Sequence, residues 1–173
     1  QFIAGVEAQL SPRSIGLTLQ LVDSAEEEIE VYRRWFGEHR VDGVFVVDPQ
    51  LEDPRVEALQ AMGLPAIVIG GPFPGIELSS VWHDEESAMI EAVRYLAALG
   101  HSSIARVSGA EDFVHTRQRT EAFDAVMREL GLHGVIVPTD YTPESGARAT
   151  RRLLSSPKPP TAIIFDSDLL AVT

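Results

Sequence analysis

The chain has 173 residues, 45% of them hydrophobic and 23% charged, enough length and apolar content for a buried core and too hydrophobic for a disordered polymer. Fourteen Lys and Arg against 26 Asp and Glu give a formal net charge of −12, a balance that repels phosphate backbones and argues against DNA binding by these residues alone. There is no cysteine, so disulfides, thiolate nucleophiles and cysteine-ligated zinc are excluded, and no apolar run approaches the roughly 18–20 residues of a spanning helix.

In chain order, Phe2, Val6 and Leu10 fall on one face of a predicted helix. The strand expected before that helix would lie outside the given sequence. Ile15 to Val22 follows as an apolar run of strand length, and further runs recur at Val44 to Val47, Ala66 to Ile69, Ile104 to Val107, Val135 to Val137 and Ala162 to Phe165. Their Val and Ile content fits buried parallel strands. Helical period occupies the intervals, as in Ile29, Tyr32, Trp35 and Phe36, in Met89, Val93 and Leu96, and in Ala122, Phe123, Val126, Met127 and Leu130.

Start and stop signals agree with that alternation. Ser24 with Glu27 forms a capping box, and both Asp53-Pro54 and Thr142-Pro143-Glu144 put a cap residue before a proline at the first helical position. Gly63, Gly100 and Gly131 each stand just past a helical run. Short turns and strand–helix alternation predict a doubly wound α/β fold with parallel sheets covered on both faces. The segment Gly70-Gly71-Pro72-Phe73-Pro74-Gly75 cannot enter a helix, so its glycines read as loop punctuation and not as a phosphate cradle. Asp166-Ser167-Asp168 should cap a helix beginning at Leu169, and the sequence stops within about a turn of it. The chain is therefore expected to be an interior piece of a longer protein.

Val41-Asp42-Gly43-Val44-Phe45-Val46-Val47, Gly63 to Gly70, Val81 to Asp84 and Leu99-Gly100-His101-Ser102-Ser103-Ile104-Ala105 occur in an order that resembles the lac-repressor (LacI/GalR-type) family of transcriptional regulators. Arg119-Thr120-Glu121-Ala122-Phe123 resembles that family's arginine-led helix, and Thr161 through Ala171 its strand and turn with an asparagine-aspartate pair. Two positions depart from the pattern: Ser167 replaces the usual asparagine, and His115 stands where a small hydroxyl residue is common.

The resemblance implies a two-lobed, periplasmic-binding-protein-like fold, with residues 1–100 as the N-terminal lobe and 101–173 as the C-terminal lobe, both incomplete. It implies a sugar effector between the lobes, a cytoplasmic homodimer, and operator contact only through an absent N-terminal headpiece. The ligand residues it implies are Asp84, His115, Arg119, Asp166 and Ser167, with Phe2, Phe73 and Trp82 as candidates for stacking on a sugar ring. No cofactor, metal or membrane partner is expected.

Local readings compete with these roles. Asp84 serves equally well as a helix cap, Arg119 as half of a surface ion pair with Glu121 nearby, and the three aromatics as core. Asp168 reads as a cap, His101 as a packing or hinge residue, and His39 and His133 as exposed; none has metal-ligand spacing. Two other functions compete: a solute-binding protein of a transporter, which shares the fold, and a haloacid-dehalogenase-type phosphatase, suggested by the strand ending in Asp166-Ser167-Asp168. Leu170 stands where the phosphatase motif wants threonine or valine.

Overall fold

The computed structural model describes residues 2–71 and 78–172. The chain opens with α1 (Phe2–Leu10), a 3-10 turn (Ser11–Arg13) and α2 (Ala25–Gly37), followed by β1 (Val44–Val47), α3 (Pro54–Met62), β2 (Ala66–Ile69) and β3 (Ser79–Val81). It continues with α4 (Glu85–Ala98), β4 (Ser103–Ser108), α5 (Val114–Glu129), β5 (His133–Pro138), α6 (Pro143–Leu154), β6 (Ala162–Phe165) and α7 (Asp168–Ala171). Two three-stranded parallel sheets result, in the orders β1-β2-β3 and β5-β4-β6. The expected α/β architecture is what forms.

The caps act as the residue types predict. Ser24 Oγ accepts from Glu27 N at the start of α2, Asp53 from Arg55 N at α3, and Thr142 from Ser145 N at α6. Proline at the first turn of α3 and α6 removes an N–H that has no intrahelical partner there.

One predicted strand does not form. Ile15 to Val22 has no regular secondary structure and no ladder partner among the described residues, and Ile15, Leu17, Leu19 and Leu21 are exposed. An apolar alternation supplies a face, but a strand also needs a neighbour for its N–H and C=O groups. Conversely β3, which lies outside the predicted strand runs, pairs with β2 through Ile67–Ser79 to Ile69–Val81.

Each sheet has its own core. Tyr32, Val46, Val56, Leu59, Leu64 and Val68 fill the first. Met89 and Val93 of α4 join Ile104, Ala122, Phe123, Val126 and Met127 on one face of the second sheet, while Ala105, Val107, Ala149, Leu153 and Leu170 fill the other. Helix α4 therefore packs with the second sheet, although it precedes Gly100. An amphipathic stripe states how much surface a helix buries, not against which sheet.

Phe123 is fully buried against Gly134 and Met127. Phe123→Ala should cost about 3–5 kcal/mol in urea unfolding, whereas Leu154→Ala on the exposed side of α6 should cost under about 1 kcal/mol. Similar losses for the two would mean that the second core does not govern unfolding.

Candidate functional site

The segments that leave β1 and β4 meet between the two sheets, and the polar residues around that meeting point form the candidate ligand cleft. Backbone groups join the sheets directly there: Leu51 N donates to Asp112 O at 3.1 Å, Val114 N to Pro49 O at 3.1 Å, and Gln50 forms an isolated antiparallel bridge with Phe113. Gln118 Nε2 of α5 donates to Gly71 O at 3.2 Å beyond the end of β2. Within the first sheet Gly70 lets Pro49 pass close to the end of β2, because a Cβ on it would fall 2.8 Å from Pro49 Cγ and its φ is +139°.

The floor of the second lobe rests on a charge inside a strand. Arg106, the only ionisable residue of β4, is fully buried. Its Nε donates to Asp166 Oδ1 at 2.8 Å and its Nη2 to Asp166 Oδ2 at 2.6 Å. Nη1 donates to Thr120 Oγ1 at 2.8 Å, and Nη2 also reaches Thr116 O at 3.3 Å. Asp166 Oδ2 accepts a further bond from Gly109 N at 3.1 Å. The bidentate pair thus ties β4, the end of β6 and the first two turns of α5 into one unit.

Arg119 lies on α5 above this floor and is about one-fifth exposed. Its Nε donates to Glu85 Oε2 at 2.7 Å, and its Nη1 to Asp166 O at 3.2 Å. Burial opposes its charge, but the hydrogen bond and the charge of Glu85 outweigh that and hold the guanidinium more firmly protonated than usual. His115, one turn earlier, is half-buried, stacks on Phe113 with ring centroids 5.5 Å apart, and places Nε2 2.9 Å from Tyr141 Oη. Burial, then the positive charge of Arg119, push its pKa below 6.5, while Asp48, Glu85 and Asp166 pull the other way. Tyr141 also contacts Thr116 Oγ1 at 3.3 Å, and it occupies the space where a side chain on Gly109 would stand, 1.8 Å from a Cβ there.

The other expected ligand residues have more local occupations. Asp84 is exposed and caps α4, its Oδ1 accepting from Ser87 N at 2.9 Å, which lowers its pKa. Ser167 caps α7 through Leu170 N, so the cap is Ser167 and not Asp168, which is the first helical residue. Asp166 has no exposed side-chain surface and spends both carboxylate oxygens on Arg106 and Gly109. Such a carboxylate is not placed to attack a phosphorus atom, as the phosphatase reading requires. Phe2 is half-exposed and meets Phe45 of β1 edge to face at 6.3 Å, while Trp82 is half-exposed beside the start of α4. Phe73 lies outside the described residues.

The sequence reading missed Arg106, Asp48 and Tyr141. A lone arginine in the run Ile104-Ala105-Arg106-Val107 is a legible signal, because a strand buried on both faces tolerates a charge only with a partner. Asp48 and Tyr141 owe their places to left-handed backbone, with φ of 49° and 63°, which residue type alone does not announce. Among the described residues no group of three or more His, Cys, Asp or Glu could hold a metal, and no helix is long and apolar enough to cross a membrane.

Removing one member of the buried pair should be far more harmful than removing both. Arg106→Met should cost about 3–5 kcal/mol by leaving Asp166 buried and unpaired, and the double variant Arg106→Met/Asp166→Val should recover at least about half of that loss. Equal losses in denaturant titrations would show that packing, not charge, is what Arg106 supplies. A second expectation concerns acid. A histidine held below its ordinary pKa of 6.5 binds its proton more weakly folded than unfolded. The stability it leaves intact above that value is lost as pH falls toward the lowered folded value. Between about pH 7.5 and about pH 5 the melting temperature should fall more in the wild type than in His115→Gln. Parallel curves would mean that the imidazole is freely protonated in the folded protein.

Residues 4–173 match the family described as periplasmic binding proteins and sugar binding domain of LacI family. The HTH-type transcriptional regulator AglR of Rhizobium meliloti is 30% identical over 181 residues, covering 99% of this chain and 49% of the relative. The HTH-type transcriptional repressor CytR of Escherichia coli is 31% identical over 138 residues, 77% of this chain and 40% of that protein. The crystal structure of a LacI family transcriptional regulator from Bifidobacterium animalis superposes with a TM-score of 0.89 at 34% identity, covering 98% of this chain and 63% of that one. A Mycobacterium smegmatis LacI family regulator gives 0.78 at 29%, with coverage of 98% and 64%. The chain spans about half the length of the first two regulators it matches, AglR and the Escherichia coli RafR. Matched along nearly its whole length and built on the same two parallel sheets, the chain belongs to the family of periplasmic binding proteins and sugar binding domains of LacI-family regulators.

Proposed function

We propose that this chain is the effector-sensing and dimerisation core of a cytoplasmic transcription regulator. A sugar or sugar derivative seats between the two sheets and shifts their relative orientation, which in the full-length homodimer changes how DNA-reading headpieces meet an operator. The observation that carries this reading is Arg119, which links the start of α4 to the end of β6 through Glu85 and Asp166 O and keeps a donor still unspent after those bonds. A planar fork of that kind suits paired sugar oxygens.

In this reading Arg119, His115, Asp84 and Ser167 meet the ligand, Trp82 offers the ring for stacking, and Asp166 serves as the anchor beneath them. The protein binds and does not catalyse. The regulators and repressors among its relatives favour this role over that of a transporter's solute-binding protein.

The test is calorimetric titration of the full-length protein with whichever sugar gives the largest thermal shift in a screen of mono- and oligosaccharides. Arg119→Ala should weaken binding at least about tenfold, because charge-assisted hydrogen bonds net about 1.5–3 kcal/mol each. Its stability should fall by about 1–2 kcal/mol, since Glu85 is left half-buried without its partner. Arg151→Ala on the exposed face of α6 is the control and should change neither by more than about 0.5 kcal/mol. Equal affinities in the two variants would remove Arg119 from the binding site.

A further inference from the structure

The charges around the cleft are not symmetrically matched. Every guanidinium there already has a carboxylate: Arg119 pairs with Glu85, Arg106 with Asp166, and Arg55 with Asp53 and Glu28. The reverse does not hold. Among the described residues neither Asp48 nor Asp84 has a cationic partner.

Both unmatched carboxylates border the cleft. Asp48 leaves β1 with φ of 49°, its carbonyl oxygen held by Arg55 Nη2 at 3.1 Å, and its exposed carboxylate is near enough to act electrostatically on both His115 and Tyr141. Asp84 immediately precedes Glu85, the residue that holds Arg119. One of its oxygens caps α4 through Ser87 N, and no cation neutralises the carboxylate among the described residues. His115 is a poor compensating charge, because burial and the neighbouring Arg119 lower its pKa. An anionic ligand would face two uncompensated negative charges, and at the unspent donor of Arg119 it would meet a guanidinium whose charge Glu85 already neutralises. A hydroxyl, by contrast, donates to a carboxylate and accepts from a guanidinium without disturbing any existing pair.

We propose that the effector is an uncharged polyhydroxylated sugar, whose hydroxyls donate to Asp48 and Asp84 and accept from Arg119, and that phosphorylated and uronic-acid forms are rejected. This rests on the sugar-sensing reading above and names the class of sugar.

The experiment titrates the full-length protein with matched sets: glucose, glucose 6-phosphate and glucuronate; galactose, galactose 6-phosphate and galacturonate; sucrose and sucrose 6-phosphate. In whichever set binds, the neutral member should be at least about tenfold tighter than its acidic counterparts. Asp48→Asn keeps a residue that tolerates left-handed backbone and removes one charge, so it should narrow that gap by at least about threefold. An acidic member binding as tightly as the neutral one, or a gap that Asp48→Asn leaves unchanged, overturns the proposal alone. If no member of any set binds, the sugar reading falls and the proposal with it.

Discussion

Arg106 has no solvent contact, and its guanidinium is the point through which β4, β6 and α5 are held to one another. Burying a charge in a strand is costly unless all of its donors and its partner's acceptors are satisfied. Here Asp166 takes two of the bonds, Thr120 and the Thr116 carbonyl take the others, and Gly109 N completes the acceptors of Asp166. The arrangement fixes the register of α5 over the sheet, and with it the place where Arg119 stands. It also fixes the turn that presents Ser167 and starts α7.

The first lobe contains a counterpart. Arg55 makes a bidentate contact with Asp53 and a third with Glu28, and its Nη2 holds the carbonyl of Asp48 where the chain leaves β1. Tyr32 adds a hydrogen bond to Glu28 from α2. In both lobes, then, a buried arginine lies behind the carboxyl end of a strand and stiffens the segment leaving it. A cleft whose walls are set by such networks loses little conformational freedom when a ligand arrives.

How much of this was readable before the structure depended on whether the signal was local. Ser24, Asp53 and Thr142 cap helices where their residue types place them, and the alternation of strand and helix follows from sequence period. Ile15 to Val22 misled because strand formation depends on a partner that local pattern cannot supply. Helix α4 was visible as a helix, but its allegiance to the second core came only from the contacts of Met89 and Val93. In the site, Arg119 was marked by a motif and Arg106 by its incongruity in an apolar run. Asp48 and Tyr141 depended on backbone conformation, and the occupation of Asp166 depended on a residue sixty positions away.

Apart from the Gln118 side chain on Gly71 O, the direct junction between the sheets is made of main-chain groups: the amides of Leu51 and Val114 and the carbonyls of Asp112 and Pro49. Bonds of that kind do not depend on which side chains the residues carry, provided the donor positions are not proline. The side chains that project from this junction can therefore be exchanged during evolution while the lobes keep their meeting point. Descendants of one ancestral sensor could diverge in what they recognise without having to reinvent how their halves come together.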